Sequence, residues 1–170
     1  REQLGAGGMG EVYRAEHVLL RRPCALKLIH PERAGDSKNM RRFEREVQVT
    51  ATLTHPNTVQ IYDYGHTADG TFYYVMEYLD GLDLQTLIDK YGPIPPERAV
   101  HFLLQMLESL DEAHRAGLVH RDIKPANLIA GKYRVHFDFI KVLDFGLARF
   151  IESSRTSGTR FPMVAGTPAA

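Results

Sequence analysis

The pattern of apolar residues changes at Gly81, and that change constrains the fold more than any single motif. Before it, apolar residues fall in short runs that read as strands. Val12, Arg14 and the stretch Cys24–Ile29 are separated by polar turns, and Thr71–Leu79 is β-branched and aromatic. Only one early segment has helical spacing: Met40, Phe43, Val47 and Ala51, with Asp36 or Ser37 as N-cap. After Gly81 the pattern turns helical. Asp83 caps a short helix carrying Leu84, Leu87 and Ile88. A longer helix opens near Pro95-Pro96, carries the stripe Val100, Leu103, Leu104, Leu107 and Leu110, and stops at Gly117. Short strands follow around Leu128–Ala130 and Ile140–Leu143, then a tail rich in Ser, Thr, Gly and Pro after Arg149. The expectation is a β-rich lobe over 1–79 and a helical lobe over 80–170, joined by a hinge. A chain of 170 residues suffices for two small lobes.

Charge and composition remove several classes of function. The chain has 21 basic and 21 acidic residues, so its net charge gives no reason to expect a nucleic-acid or membrane-surface partner. A single cysteine, Cys24, excludes an internal disulfide and a cysteine cage for zinc. The histidines lack metal-ligand spacing, and no apolar run reaches membrane-spanning length. The chain opens Arg1-Glu2-Gln3-Leu4 without Met or a signal peptide and enters a glycine-rich stretch at once. That start reads as an internal fragment with no room for a strand before the loop.

The stretch Gly5-Ala6-Gly7-Gly8-Met9-Gly10-Glu11-Val12 fits G-x-G-x-x-G-x-V. Glycines let backbone N–H groups approach phosphates with no side chain in the way. A dinucleotide-binding turn would need a helix directly after the last glycine. Here Glu11–Ala15 reads as a strand, which disfavours it. Strand alternation then puts Ala25 and Lys27 on one face, leaving room for a flat base beside an ammonium that reaches phosphate oxygens. Cys24 points to the opposite face and reads as an inert core thiol. Glu46, on the core side of the predicted helix, is the expected partner of Lys27, whereas Glu44 reads as solvated.

Two polar loops complete the set: His120-Arg121-Asp122-Ile123-Lys124-Pro125-Ala126-Asn127 and Asp144-Phe145-Gly146. Asp122 is placed to accept or orient a hydroxyl proton, with Lys124 meeting a transferring phosphoryl group. Asn127 and Asp144 supply the hard oxygen ligands that Mg²⁺ takes. Either loop alone would be an accident of a turn; both, in order after a glycine loop and a strand lysine, are not.

These residues resemble the eukaryotic-type protein kinase family over essentially the whole chain. The combination of Gly-Gly-Met-Gly-Glu-Val-Tyr, His-Pro-Asn, Met-Glu-Tyr-Leu, His-Arg-Asp-Ile-Lys-Pro-Ala-Asn and Asp-Phe-Gly-Leu-Ala-Arg is similar to bacterial serine/threonine kinases. The resemblance implies an α+β, protein-kinase-like bilobal fold: a β-rich N-lobe with one key helix and an incomplete helical C-lobe. It implies ATP and Mg²⁺ as cofactors, protein Ser/Thr hydroxyls as acceptors, and a cytoplasmic catalytic segment whose parent can carry an anchor elsewhere. It puts Leu4, Gly5, Ala6, Gly7, Gly8, Met9, Gly10, Val12 and Ala25 around the nucleotide, with Met76 behind the adenine and Glu77 and Leu79 offering backbone hydrogen bonds to it. His120 becomes structural, packed beneath Phe145, and His55 a turn residue. Arg121, before Asp122, marks control by activation-loop phosphorylation, with Arg149 and Arg42 as further phosphate donors and Thr159 as the expected phosphosite. Thr167 is expected to be structural, and a homodimer would serve trans-autophosphorylation.

Three departures matter. The segment from Asn127 to Asp144 is longer than the family minimum, with extra residues around Gly131–Asp138 expected to extend a hairpin away from the chemistry. Thr50 stands where the family places an apolar residue. The chain ends at Ala169-Ala170, which leaves the helical stripe partly uncovered and makes a catalytically impaired nucleotide-binding scaffold the alternative reading.

Overall fold

The computed structural model describes residues 2–7, 10–29 and 37–145. The first part is a five-stranded antiparallel sheet of β1 (Glu2–Gly7), β2 (Gly10–His17), β3 (Arg22–Ile29), β4 (Ile61–His66) and β5 (Phe72–Glu77), in the order β1-β2-β3-β5-β4. The segment expected to leave no room for a strand is therefore β1 itself. It has few β-formers of its own and is held by the ladder to β2, from Glu2 opposite Arg14 to Gly7 opposite Gly10. Gly10 is required there, because a Cβ would overlap the Leu28 carbonyl oxygen on β3.

Helix α1 (Ser37–Thr50) lies across one face of this sheet. Phe43 and Val47, one turn apart, are buried with Ala25, Ile29, Phe72, Tyr74 and Met76, and the Phe43 and Phe72 rings meet edge to face at 5.3 Å. Each such side chain contributes about 1.5–3 kcal/mol when fully buried. Thr50, buried where an apolar residue was expected, satisfies its hydroxyl on the Glu46 carbonyl at 2.8 Å. The Asp36 cap and the side chains of Ser37 and Arg42 lie outside the described residues.

Beyond the hinge come β6 (Gly81–Asp83), α2 (Leu84–Tyr91), α3 (Pro96–Arg115), β7 (Leu128–Tyr133) and β8 (His136–Val142). Asp83 caps α2 as expected, its carboxylate accepting from the Thr86 N–H at 2.9 Å. Helix α3 starts with proline in its first turn and ends before Gly117, whose φ of 77° suits glycine. Its buried face is not the leucine stripe. Phe102, Met106, Ser109 and Ala113 face the second core, with Leu53, Leu84, Leu118, Ile140, Val142 and Phe145. Val100, Leu103, Leu104 and Leu107 are about half exposed, an uncovered stripe like the one expected. No described helix is long and apolar enough to cross a membrane.

The β7–β8 hairpin carries the extension expected around Gly131–Asp138, with pairing that continues to Tyr133 opposite His136. Its base crosses the hinge closely: a Cβ on Gly81 would run into the Ala130 carbonyl oxygen.

Candidate active site

A cleft of about 280 Å³ separates the five-stranded sheet from the β6–β8 sheet. Its walls include Leu4, Gly5, Val12, Ala25, Lys27, Met76, Glu77 and Leu79, all anticipated from the sequence. Ala6 and Gly10 do not line it, and Gly8 and Met9 lie outside the described residues. Sequence reasoning missed Tyr78, Asp83, Ala126, Ile129 and Leu143. Two of these had a signal: Ile129 follows Asn127 by one strand period, and Leu143 precedes Asp144. A wider, open depression of about 740 Å³ lies elsewhere, lined by Glu2, Arg14, Glu16, Val18 and Pro23 among others. It is remote from both polar loops.

The loop 120–127 is organised by its own hydrogen bonds. Asn127 Nδ2 donates to the Asp122 carbonyl at 2.8 Å and to Asp122 Oδ2 at 2.9 Å. Lys124 Nζ stands 2.7 Å from the same Oδ2. One oxygen of Asp122 is thus held by two donors, which fixes the plane of the carboxylate. Arg121 has φ 64°, a strained backbone for a non-glycine residue, and Asp144 shares it at 55°.

His120 links the two loops. Its Nδ1 accepts from the Asp122 N–H at 3.2 Å, so Nε2 carries the proton and donates to the Leu143 carbonyl at 2.7 Å. Its ring packs 4.9 Å from that of Phe145, the stack the family resemblance implied. Burial holds the imidazole below its usual pKa, against the pull of the Leu143 carbonyl and of Asp144 and Asp122. His55 is likewise a turn residue, its Nδ1 accepting from the Asn57 N–H at 3.2 Å.

The contact across the cleft differs from expectation. Lys27 Nζ donates to Asp144 Oδ2 at 2.5 Å, and Glu46 is ion-paired with Arg121 at 3.2 Å. The anticipated Lys27–Glu46 pair is therefore replaced by two others: lysine meets the Asp144 carboxylate, and glutamate meets the arginine beside Asp122. Residue types and helix phase put Glu46 on the inward face but could not say which of two cations it would reach. Burial pushes the Asp144 carboxyl upward, but the Lys27 charge, its hydrogen bond and the Tyr74 hydroxyl outweigh this and hold it below its usual value. Cys24 is a buried free thiol, raised by burial against the opposing charge of Arg22, as befits an inert core cysteine.

Behind the hinge lies a second buried polar group. Lys141 Nζ is 2.5 Å from Glu77 Oε1 and 3.2 Å from the Thr58 carbonyl, and Glu77 also accepts from the Gln60 N–H at 2.8 Å. Tyr133, on the lengthened hairpin, covers the Lys141 ammonium at 5.5 Å from its ring centroid. The extension over 131–138 stays out of the cleft wall, and its Tyr133 backs the hinge.

The donor set suits Mg²⁺. Asp144 and the Asn127 carboxamide oxygen are hard ligands, and the Asn127 amide nitrogen is anchored on Asp122, so its oxygen faces away. No three His, Cys, Asp or Glu residues cluster for a metal among the described residues. Mg²⁺ needs no such cage when waters and phosphate oxygens complete its shell. Arg149 and Thr159 lie outside the described residues.

A glycine loop on a strand hairpin, a strand lysine bonded to an aspartate across the cleft, and an Asp–Lys–Asn loop on a second lobe define a phosphotransferase-type cleft. The protein kinase domain family model matches residues 1–169, and the chain belongs to that family. It is 38% identical over 167 residues to serine/threonine-protein kinase pkn3 of Myxococcus xanthus, covering 97% of this chain and 30% of that protein. It is 40% identical over 156 residues to PrkC of Bacillus subtilis (92% of this chain, 23% of that protein). With PknB of Mycobacterium tuberculosis it shares 40% over 169 residues (98% and 26%). The chain thus spans less than a third of the length of these relatives. The solved kinase domain of M. tuberculosis PknI superposes with a TM-score of 0.74 at 35% identity, over 87% of this chain and 57% of that one. The mixed α+β fold is that of a protein kinase.

Proposed function

We propose that this chain carries the ATP site and catalytic loops of a serine/threonine protein kinase, divided into an N-lobe over 1–79 and part of a C-lobe over 80–170. The observation that supports this best is the Lys27–Asp144 bond across the cleft, next to a loop that enters the cleft wall at Ala126 and in which Lys124 and Asn127 hold Asp122. Leu4, Gly5, Val12 and Ala25 would enclose the base, with Met76 behind it and the backbone of Glu77 and Leu79 beside it. Lys27 would meet ATP phosphate oxygens. The acceptor hydroxyl oxygen would bond to the γ-phosphorus as the bond to the ADP oxygen breaks, and its proton would pass to the Asp122 carboxylate. Lys124, already at that carboxylate, would offset charge on the transferring group. Asp144 and Asn127 would hold Mg²⁺, whose chemistry when bound is neutralisation of phosphate charge.

The exchanged pairs favour a resting form. Arg121 holds Glu46 as long as no stronger anion competes. A phosphate on the activation segment, with Thr159 as its site and Arg42 and Arg149 as added donors, would draw Arg121 away and release Glu46 towards Lys27. Autophosphorylation between two copies would supply it, in a cytoplasmic setting. The second reading, a nucleotide-binding scaffold with little catalysis, is favoured by the same exchange and by the uncovered face of α3.

Phosphotransfer from Mg-ATP to a protein acceptor separates the two. The kinase reading expects transfer that is lost in Asp122→Asn and in Lys27→Met. Nucleotide binding without transfer in the unmutated chain supports the scaffold, and unchanged transfer in either variant removes the role given to that residue.

A further inference from the structure

Tyr74 is the largest fully buried side chain near the cleft, and no motif includes it. It is directly opposite Lys27 in the β3–β5 ladder, so the two side chains leave the sheet together on one face. Its ring is 5.8 Å from the Lys27 ammonium. Its hydroxyl donates to Asp144 Oδ1 at 2.7 Å, while Lys27 holds Oδ2. Each oxygen of the Asp144 carboxylate is therefore gripped by a different residue of the same strand pair. A phenol at a strand position otherwise filled by packing has no reason to carry a hydroxyl unless the carboxylate uses it, since a buried polar atom without a partner is costly.

We infer that Tyr74 is a positioning residue for the metal-holding carboxylate: with Lys27 it fixes the orientation in which Asp144 meets Mg²⁺. This rests on the reading of Asp144 as a Mg²⁺ ligand given above. A carboxylate oxygen that accepts one hydrogen bond keeps a lone-pair direction for a cation. Outer partners that orient ligating carboxylates commonly govern metal affinity by 10–100-fold.

The test is calorimetric titration of the full chain with ADP at a series of MgCl₂ concentrations, for the unmutated protein, Tyr74→Phe and Asp144→Asn. Phenylalanine keeps the ring and its packing, so a purely structural role for Tyr74 would leave the Mg²⁺ dependence unmoved. The expected result is that Tyr74→Phe needs roughly tenfold more Mg²⁺ for half of the affinity gain, with Mg²⁺-free ADP affinity unchanged. Wild-type Mg²⁺ dependence in Tyr74→Phe, together with its loss in Asp144→Asn, overturns the inference alone. An equal fall in affinity with and without Mg²⁺ does the same, because it would show a packing effect. Wild-type dependence in Asp144→Asn, or no Mg²⁺ dependence in the unmutated protein, removes the metal-site reading and the inference with it.

Discussion

The loop 120–127 and the contacts that cross the cleft are built over very different lengths of chain. Within the loop, Asp122 is held by Lys124 and Asn127, two and five residues away. Across the cleft, Lys27 reaches Asp144 over 117 residues and Arg121 reaches Glu46 over 75. The short-range set has the arrangement that its residue types imply. In the long-range set the same charged groups are present but the partners are exchanged. A local motif fixes its own geometry because few alternatives lie within reach. A cross-lobe pair instead depends on how α1 sits against the second lobe.

The largest effect should come from the short-range set. Asp122→Asn preserves shape and both Asn127 contacts to the loop but removes the proposed proton acceptor. Phosphotransfer should fall by about 10²–10⁴-fold, while ADP affinity and the unfolding midpoint remain near those of the unmutated protein. Single-turnover transfer and calorimetry would check this. A proportionate loss of ADP affinity would mean that the loop does not act independently of the cleft, and the contrast between the two sets would lapse.

The pair behind the hinge challenges the contrast from the other side. Lys141 and Glu77 are 64 residues apart, yet both are mostly buried and tightly engaged. Lys141→Met leaves the Glu77 carboxylate buried without its cation, which should cost about 3–5 kcal/mol. Adding Glu77→Gln should recover most of that, as urea unfolding of the two variants would show. If the single variant loses less than about 1 kcal/mol, this long-range pair is as loosely determined as the exchangeable ones.

What could be read from sequence follows the same division. The two polar loops, the Asp83 cap, the Pro96 start and the cleft face of β3 depend on residue type and short spacing, and all were legible. Strand β1 was not, because Glu2–Gly7 is stabilised by its neighbour and not by propensity. The buried face of α3 was not named because leucines outweigh Phe102, Met106, Ser109 and Ala113 in apolar content, whereas burial follows what packs against the helix. The Tyr74 hydroxyl was invisible for a third reason: strand alternation gave its face, but its acceptor lies 70 residues away. The same limit concealed the partner of Glu46.

The exchanged pair itself should be worth little to stability. Arg121 and Glu46 are about 36% and 21% exposed, so Arg121→Gln should cost about 0.5–1 kcal/mol in urea unfolding. A loss several times larger would make the pairing a fixed structural element and remove the proposed release by phosphate.

The smallest effect belongs to His120, which joins the two sets and should respond only to acid. Its folded pKa is depressed by burial, so the unfolded chain takes up a proton first as pH falls. The contribution is therefore fully present above the ordinary imidazole value of about 6.5, and it declines as pH drops from there towards the lower folded value. Protonation would also turn Nδ1 from acceptor to donor against the Asp122 N–H, loosening the loop at its junction with Leu143. Urea midpoints measured from pH 8 to pH 5 should fall more steeply for the unmutated protein than for His120→Gln. Parallel curves would place the acid sensitivity elsewhere and leave the short-range loop independent of the Asp144 loop that His120 touches.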